Sequence, residues 1–188
     1  MIYLFDFDDT LIDTKIYAEM YPEIMQAIQK KYPTINEIAK KNNVTINKFG
    51  RYDSGELAKK LDMLDTYYEI LGKHIDTMPV LKKNVIETLK KLKGNRIGIV
   101  SNSMKRTINT YLQKYNIEKY FDFIYSVDDS SCKKNDINYW QGLIKKYKIN
   151  PNDCIIIGDN EIDDKLIPNK LGFNTFIIKD ISDFKKIN

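Results

Sequence analysis

Acidic residues recur where apolar runs end in this chain. The run "YLF" (3–5) leads straight into Asp6, Asp8 and Asp9, and "CIIIG" (154–158) leads into Asp159, with Asp163 and Asp164 close behind. Two further apolar runs end on groups of other kinds. "RIGIVS" (96–101) ends at Ser101 with Asn102 beside it, and "FDFIYS" (121–126) precedes the doublet Lys133-Lys134. Each feature has an ordinary use: acids cap turns, a serine after a strand caps the next helix, and lysines are mostly solvated. Gathered at one place they would act differently. Several carboxylates together repel strongly unless a cation sits among them. Oxygen ligands with one or two carboxylates suit Mg²⁺, which commonly also holds a phosphate. A hydroxyl and an ammonium would then serve the remaining phosphoryl oxygens.

The elements that would gather them can be read from periodicity. "IYLFDF" (2–7) reads as a buried strand. From Pro79 onward, helical patterns alternate with short apolar runs: "VLKKNVIETLKKLKGN" as a helix ended by Gly94, "RIGIVS" as a strand, "RTINTYLQKYNI" as a helix, "FDFIYS" as a strand. "NYWQGLIKKY" (helix), "CIIIGD" (strand), "DKLIPNKLG" (helix interrupted at Pro168) and "NTFIIK" (strand) continue the pattern. Such alternation implies an α/β fold of parallel βαβ units. In an open α/β sheet, functional groups collect at the carboxyl ends of the strands, so these acids, Ser101 and a lysine are expected on one rim.

The stretch 15–78 reads differently, as nearly all helix. "KIYAEMYPEIMQAIQKKY" has helical spacing, with a kink or a new helix expected at Pro22. "TINEIAKKN" reads as a short helix capped by Thr34, with Glu37 completing a capping box. "VTINKFGRYDSG" lacks a period and reads as a loop, and "SGELAKKLDMLDTYYEILGKH" reads as one long amphipathic helix. The expected layout is therefore 1–14 with 79–188 as an α/β core, and 15–78 as a helical insertion.

Composition narrows the function classes. The 30 basic residues against 26 acidic ones give a net charge of +4, spread along the chain rather than clustered as in a nucleic-acid binder. Cys132 and Cys154 have no metal-ligand or redox spacing. The chain meets acidic residues after five positions, which argues against a secretory leader, and no apolar stretch approaches the ~20 residues of a membrane span. A soluble cytoplasmic protein without a membrane or nucleic-acid partner is expected.

The order and spacing of these runs resemble the haloacid dehalogenase-like superfamily. That family carries an apolar strand ending in Asp-x-Asp-x-Thr, here Asp6-Phe7-Asp8-Asp9-Thr10. Next comes an apolar strand ending in Ser or Thr, here at Ser101, then a lysine, then Gly-Asp with a further Asp, here Gly158-Asp159 and Asp163 or Asp164. The resemblance covers essentially the whole chain. It implies a Rossmann-like three-layer parallel sheet, with 15–78 as a small helical cap inserted after the first strand. It also implies a Mg²⁺-dependent phosphatase acting on a small phosphorylated metabolite through an aspartyl-phosphate.

In that scheme Asp6 is the nucleophile and Asp8 the general acid and base, with Thr10 orienting Asp8. Asp6, Asp159 and the Asp8 backbone carbonyl are expected at the metal, and Ser101, Asn102 and a lysine at the phosphoryl group. The sequence departs from the family pattern twice. Lysine is followed by Lys134 rather than proline; Lys133 is favoured, because Tyr139 then falls where the family has an aromatic. Asp163 and Asp164 both fit the last acidic position, and both are kept as expected metal ligands. An acid at Asp8 separates the chain from the family's dehalogenases and transport ATPases, and Asp9 after it, where mutases usually carry Gly, leans toward a phosphatase over a phosphotransferase or mutase. A polynucleotide end phosphatase and a non-catalytic binding protein are weaker alternatives. Lys48, Arg51 or Tyr52 of the insertion could meet the substrate, with Arg51 favoured; His74 is expected to face solvent.

Overall fold

A computed structural model describes residues 1–47 and 50–187. Five strands form one parallel sheet: β1 (Ile2–Phe5), β2 (Arg96–Ser101), β3 (Phe123–Ser126), β4 (Cys154–Gly158) and β5 (Asn174–Ile177). Their order across the sheet is β3-β2-β1-β4-β5. The first strand is therefore central. Phe5 lies opposite both Ile99 and Ile157, so the residues that follow β1, β2 and β4 emerge side by side at one edge. A strand flanked on both sides and covered on both faces must be apolar throughout, as Leu4, Phe5, Ile99, Val100, Ile156 and Ile157 are; all are fully buried.

The core beside this sheet is strongly aromatic. Trp140 and Tyr139 of α7 (Ile137–Tyr147) pack with Leu4, Val100, Tyr125 and Phe173. Gly98 of β2 is needed there, because an added Cβ would fall 2.4 Å from the Phe123 ring. This unit also holds α5 (Val85–Lys91) and α6 (Lys105–Lys114). The chain divides into two compact units: Met1–Asp13 with Leu81–Asn188, and Thr14–Val80.

The second unit holds α1 (Lys15–Lys31), α2 (Ile35–Lys41), α3 (Ser54–Lys60) and α4 (Leu64–Thr77). Several local expectations change here. Helix α1 runs through Pro22 as one element, with Pro22 and the Ala18 carbonyl it cannot bond both on an exposed stretch. Thr34 takes the N-cap position of α2 without a side-chain cap bond. The long helix expected over 54–74 is two helices, broken where Asp62 adopts φ 55°, a left-handed conformation that ends α3. Before α3, Ile46 is bridged to Tyr52 in antiparallel fashion. The Asn47 N–H donates to the Arg51 carbonyl at 2.8 Å. Arg51 is exposed, its guanidinium 5.3 Å from the Tyr21 ring. Lys48 lies outside the described residues. His74 is half-buried and meets Glu23 at 3.2 Å instead of facing solvent alone.

In the first unit, the helix before β2 begins at Val85 and ends at Lys91, with Gly94 following in a left-handed turn (φ 97°). The helix expected over 164–172 starts earlier, as a π-helical turn at Ile162–Leu166, and continues through Ile167–Asn169. No helix among the described residues is long and apolar enough to cross a membrane.

Candidate active site

Asp6 follows β1 directly, and its N–H donates to the Ile157 carbonyl of β4 at 2.8 Å, continuing the ladder by one step. The chain then coils. The Leu11 and Ile12 N–H groups both return to the Phe7 carbonyl, and Asp9 sits in the left-handed region at φ 56°, which Asp tolerates better than most residues. Lys82, where the chain re-enters this unit, donates its ammonium to the Asp9 carbonyl. This tight turn brings Thr10 back beneath Asp6. The buried Thr10 hydroxyl reaches Asp6 Oδ2 at 3.2 Å and Asp159 Oδ1 at 3.4 Å. Its contacts are thus with Asp6 and Asp159, not with Asp8 as expected.

The lysine that meets Asp6 is Lys134. Its Nζ lies 2.5 Å from Asp6 Oδ1 and 2.5 Å from Asp164 Oδ1, and the side chain is only 2% exposed. This corrects the preference for Lys133, which is exposed. The physical reason lies in the backbone. The Lys134 N–H donates to Asn102 Oδ1 at 2.8 Å, and its carbonyl accepts from Trp140 Nε1 at 2.8 Å, so this residue of the doublet is turned inward. Tyr139, used to align Lys133, serves the sheet instead. Its hydroxyl accepts from the Ser101 N–H at 2.9 Å and donates to the Tyr125 carbonyl at 2.7 Å.

The acid doublet is also divided. Asp164 is fully buried, whereas Asp163 is half-buried and accepts from Asn102 Nδ2 at 3.1 Å. Asp164 lies so close to Gly158 that a Cβ there would come within 2.2 Å of its carboxyl carbon, which explains the glycine before Asp159. The Asn160 N–H holds Asp164 Oδ2 at 3.0 Å, and Asn160 Oδ1 caps the N–H groups of Ile162 and Asp163. Ser101, fully buried, accepts on its Oγ from the Ser103 N–H at 3.0 Å. Asp8 accepts from the Ser103 hydroxyl, Oγ to Oδ2 at 2.5 Å. Ser103, Lys82 and Asn160 were not singled out from the sequence. A serine two positions after a strand carries no distinguishing signal, since such residues usually cap helices.

Oxygen atoms of Asp6, Asp159 and Asp164 lie within 4.8 Å of one another, and among the described residues this is the one such group. Burial holds the Asp6 carboxyl well above the usual carboxylate range; the Lys134 ammonium opposes this, and the charges of Asp164 and Asp8 add to it. Burial also works against the ammonium of Lys134, but the charges of Asp6 and Asp164 outweigh it and hold that group above the usual lysine range. Desolvation, then Asp164 and Asp9, push Asp159 upward. One ammonium therefore does not offset this many acids. Apart from its ion pair with Lys134, the buried Oδ1 of Asp164 has no hydrogen-bond donor among the described residues. A donor set made only of carboxylate oxygens, with no Cys or His in the group, fits a hard divalent cation of the Mg²⁺ class.

Comparison with known proteins adds context to this geometry. A family model described as haloacid dehalogenase-like hydrolase matches residues 3–177. The pyrophosphatase PpaX of Bacillus cereus (strain G9842) is 24% identical over 168 residues, covering 85% of this chain and 74% of the relative. A haloacid dehalogenase (HAD) phosphatase from Thermococcus onnurineus shares the fold with a TM-score of 0.71 at 21% identity, over 95% of this chain and 86% of that one. A structure described as the HAD-hydrolase YfnB of Bacillus subtilis bound to magnesium superposes with a TM-score of 0.64 at 17% identity, over 94% and 86% of the two chains.

Proposed function

The chain belongs to the haloacid dehalogenase-like hydrolase family, and from that premise we propose that it is a Mg²⁺-dependent phosphatase of small phosphorylated metabolites. The observation that carries this reading is the packing of carboxylate oxygens of Asp6, Asp159 and Asp164 within 4.8 Å of one another, with the Lys134 ammonium against Asp6 and Asp164. Asp6 is the nucleophile: a carboxylate oxygen attacks phosphorus, and the bond to the leaving-group oxygen breaks. Asp8 gives that oxygen its proton. Water then attacks the aspartyl-phosphate, returns a proton to Asp8 and frees Asp6. Splitting the displacement in two lowers each barrier.

Ser101, Asn102 and Lys134 face the phosphoryl oxygens, and the buried ammonium offsets charge that develops there. Asp6, Asp159 and Asp164, with the Asp8 carbonyl, would hold the cation, which would neutralise phosphoryl charge when bound. The need for a proton donor at Asp8 matches an alkoxide leaving group. The helical unit acts as a cap that governs substrate choice, with Arg51 as a contact for a further anionic or oxygen-rich group. The likeness to a pyrophosphatase makes inorganic pyrophosphate a second substrate class to weigh.

The test is release of free phosphate from a panel of phosphomonoesters and inorganic pyrophosphate, with Mg²⁺ and after chelation by EDTA. Activity with Mg²⁺ that disappears on chelation and returns with added Mg²⁺ is expected. Full activity after chelation sinks the metal-dependent reading, and transfer of phosphate to a second organic acceptor in place of water makes the enzyme a phosphotransferase. The same panel run on Arg51→Ala should show a higher KM for the preferred substrate alone.

A further inference from the structure

Ser103 carries its hydroxyl one residue before Met104, the N-cap residue of α6; Met104 makes no side-chain cap bond, and the first N–H of the helix, at Lys105, is held at 2.8 Å by Asp128 Oδ2. The hydroxyl instead crosses to the β1 turn and donates to Asp8 Oδ2 at 2.5 Å. Through its backbone the same residue donates to Ser101 Oγ at 3.0 Å. One residue thus ties together the hydroxyl at the end of β2 and the carboxyl three positions beyond β1. The two ties are chemically separate, one from the main chain and one from the side chain. Asp8, only half-buried, stands outside the group formed by Asp6, Asp159 and Asp164.

We propose that Ser103 is a positioning residue that aims the Asp8 carboxyl at the leaving-group oxygen. This rests on the phosphatase reading above. The hydrogen bond from the Ser103 hydroxyl to Oδ2 restrains how the carboxyl can turn. Proton delivery is sensitive to such aim, since a misplacement of about 1 Å can cost ~10²-fold in rate. The step served is the first one: Asp6 forms its bond to phosphorus, the phosphorus–oxygen bond of the ester breaks, and the departing oxygen takes the Asp8 proton. An oxygen that departs as a stable anion needs little help from that proton, whereas a more basic one needs it strongly.

Ser103→Ala removes the side-chain tie and keeps the main-chain tie to Ser101, so it isolates the effect. The quantity to measure is kcat/KM, which reports on the enzyme up to cleavage of the ester bond, for phenyl phosphate and for p-nitrophenyl phosphate. Ser103→Ala should lose roughly 10–10²-fold more on phenyl phosphate than on p-nitrophenyl phosphate. Ser103→Thr, which keeps a hydroxyl, should restore most of that difference. Equal losses on both esters, with or without a lowered Tm, would mean a structural or binding role and overturn the inference. Undiminished activity of Ser103→Ala on phenyl phosphate would overturn it as well. A wild-type protein that releases no phosphate from either ester fails the phosphatase reading itself, and this inference with it.

Discussion

At the scale of single residues, the site turns on which member of a doublet points inward. Lys133 and Lys134 are chemically identical, and only the second is buried against Asp6 and Asp164. The two variants should therefore differ sharply. Lys134→Ala takes a positioned cation from a water-poor site, at ~10²–10³-fold in kcat/KM. It also leaves two buried carboxylates without their partner, at about 3–5 kcal/mol of stability, so its melting temperature should fall as well. Lys133→Ala, on the exposed side, should stay within about 0.5 kcal/mol in stability and near wild type in rate. Thermal melts and steady-state kinetics on the pair decide the matter, and a larger rate loss at Lys133 would return the role to it. The sequence held an ambiguity of one register. A lysine doublet is followed six positions later by an aromatic doublet, Tyr139-Trp140, so either lysine can be paired with an aromatic at the same spacing. Trp140 Nε1 bonds the Lys134 carbonyl and breaks the tie, but that contact depends on how α7 packs on the sheet.

At the scale of elements, the strands and their order of appearance were legible because each is a short apolar run bounded by polar residues. A parallel sheet then sends β1, β2 and β4 out at one edge. Legibility failed where a backbone conformation decides, as at Asp62, where a left-handed residue divides what periodicity reads as one helix. It failed also at 162–169, where a π-helical turn replaces an ordinary helix and turns Asp164 inward. One polar tie that no pattern marks joins three elements. Asp129 accepts from the Ser126 N–H at the end of β3 and pairs with Lys105 of α6 at 2.8 Å and Lys146 of α7 at 2.6 Å. Desolvation acts to raise its carboxyl, but the bonds from Lys105, Lys146 and Ser126 prevail and lower it from the ordinary 3.8 to about 2. A depressed folded value means stability that is fully present above pH 3.8 and is lost as pH falls through about 2. Asp129→Asn should accordingly lower stability at neutral pH by about 1–2 kcal/mol, the modest value reflecting two partly exposed lysines. The deficit should shrink as melts are taken from pH 6 toward pH 2. A deficit of unchanged size at pH 2 would show that the carboxylate charge is not its source.

At the scale of the whole molecule, the acids of the site set function against stability. Asp6, Asp159 and Asp164 lie close enough to repel, and desolvation and the charge of Asp164 push the Asp159 carboxyl upward. In the metal-free protein the ionised form of Asp159 thus works against the folded state at neutral pH, where an upward-shifted carboxyl is still charged. A bound cation reverses the sign, because it binds the folded arrangement and not the unfolded chain. At about 100 times its dissociation constant, Mg²⁺ should add ~2.7 kcal/mol, or about 5–10 °C in melting temperature for a chain of this size. Asp159→Asn separates the two effects. It keeps an oxygen for the Thr10 hydroxyl, removes one negative charge and weakens the cation site. In EDTA it should melt above wild type, by roughly 1 kcal/mol. In Mg²⁺ it should melt below wild type, having lost most of the gain, and it should release little phosphate. Melting curves of the two proteins should therefore cross as Mg²⁺ is added. If wild type shows no Mg²⁺-dependent gain, the three carboxylates do not form a cation site. If Asp159→Asn gains as much as wild type, the cation is held without Asp159.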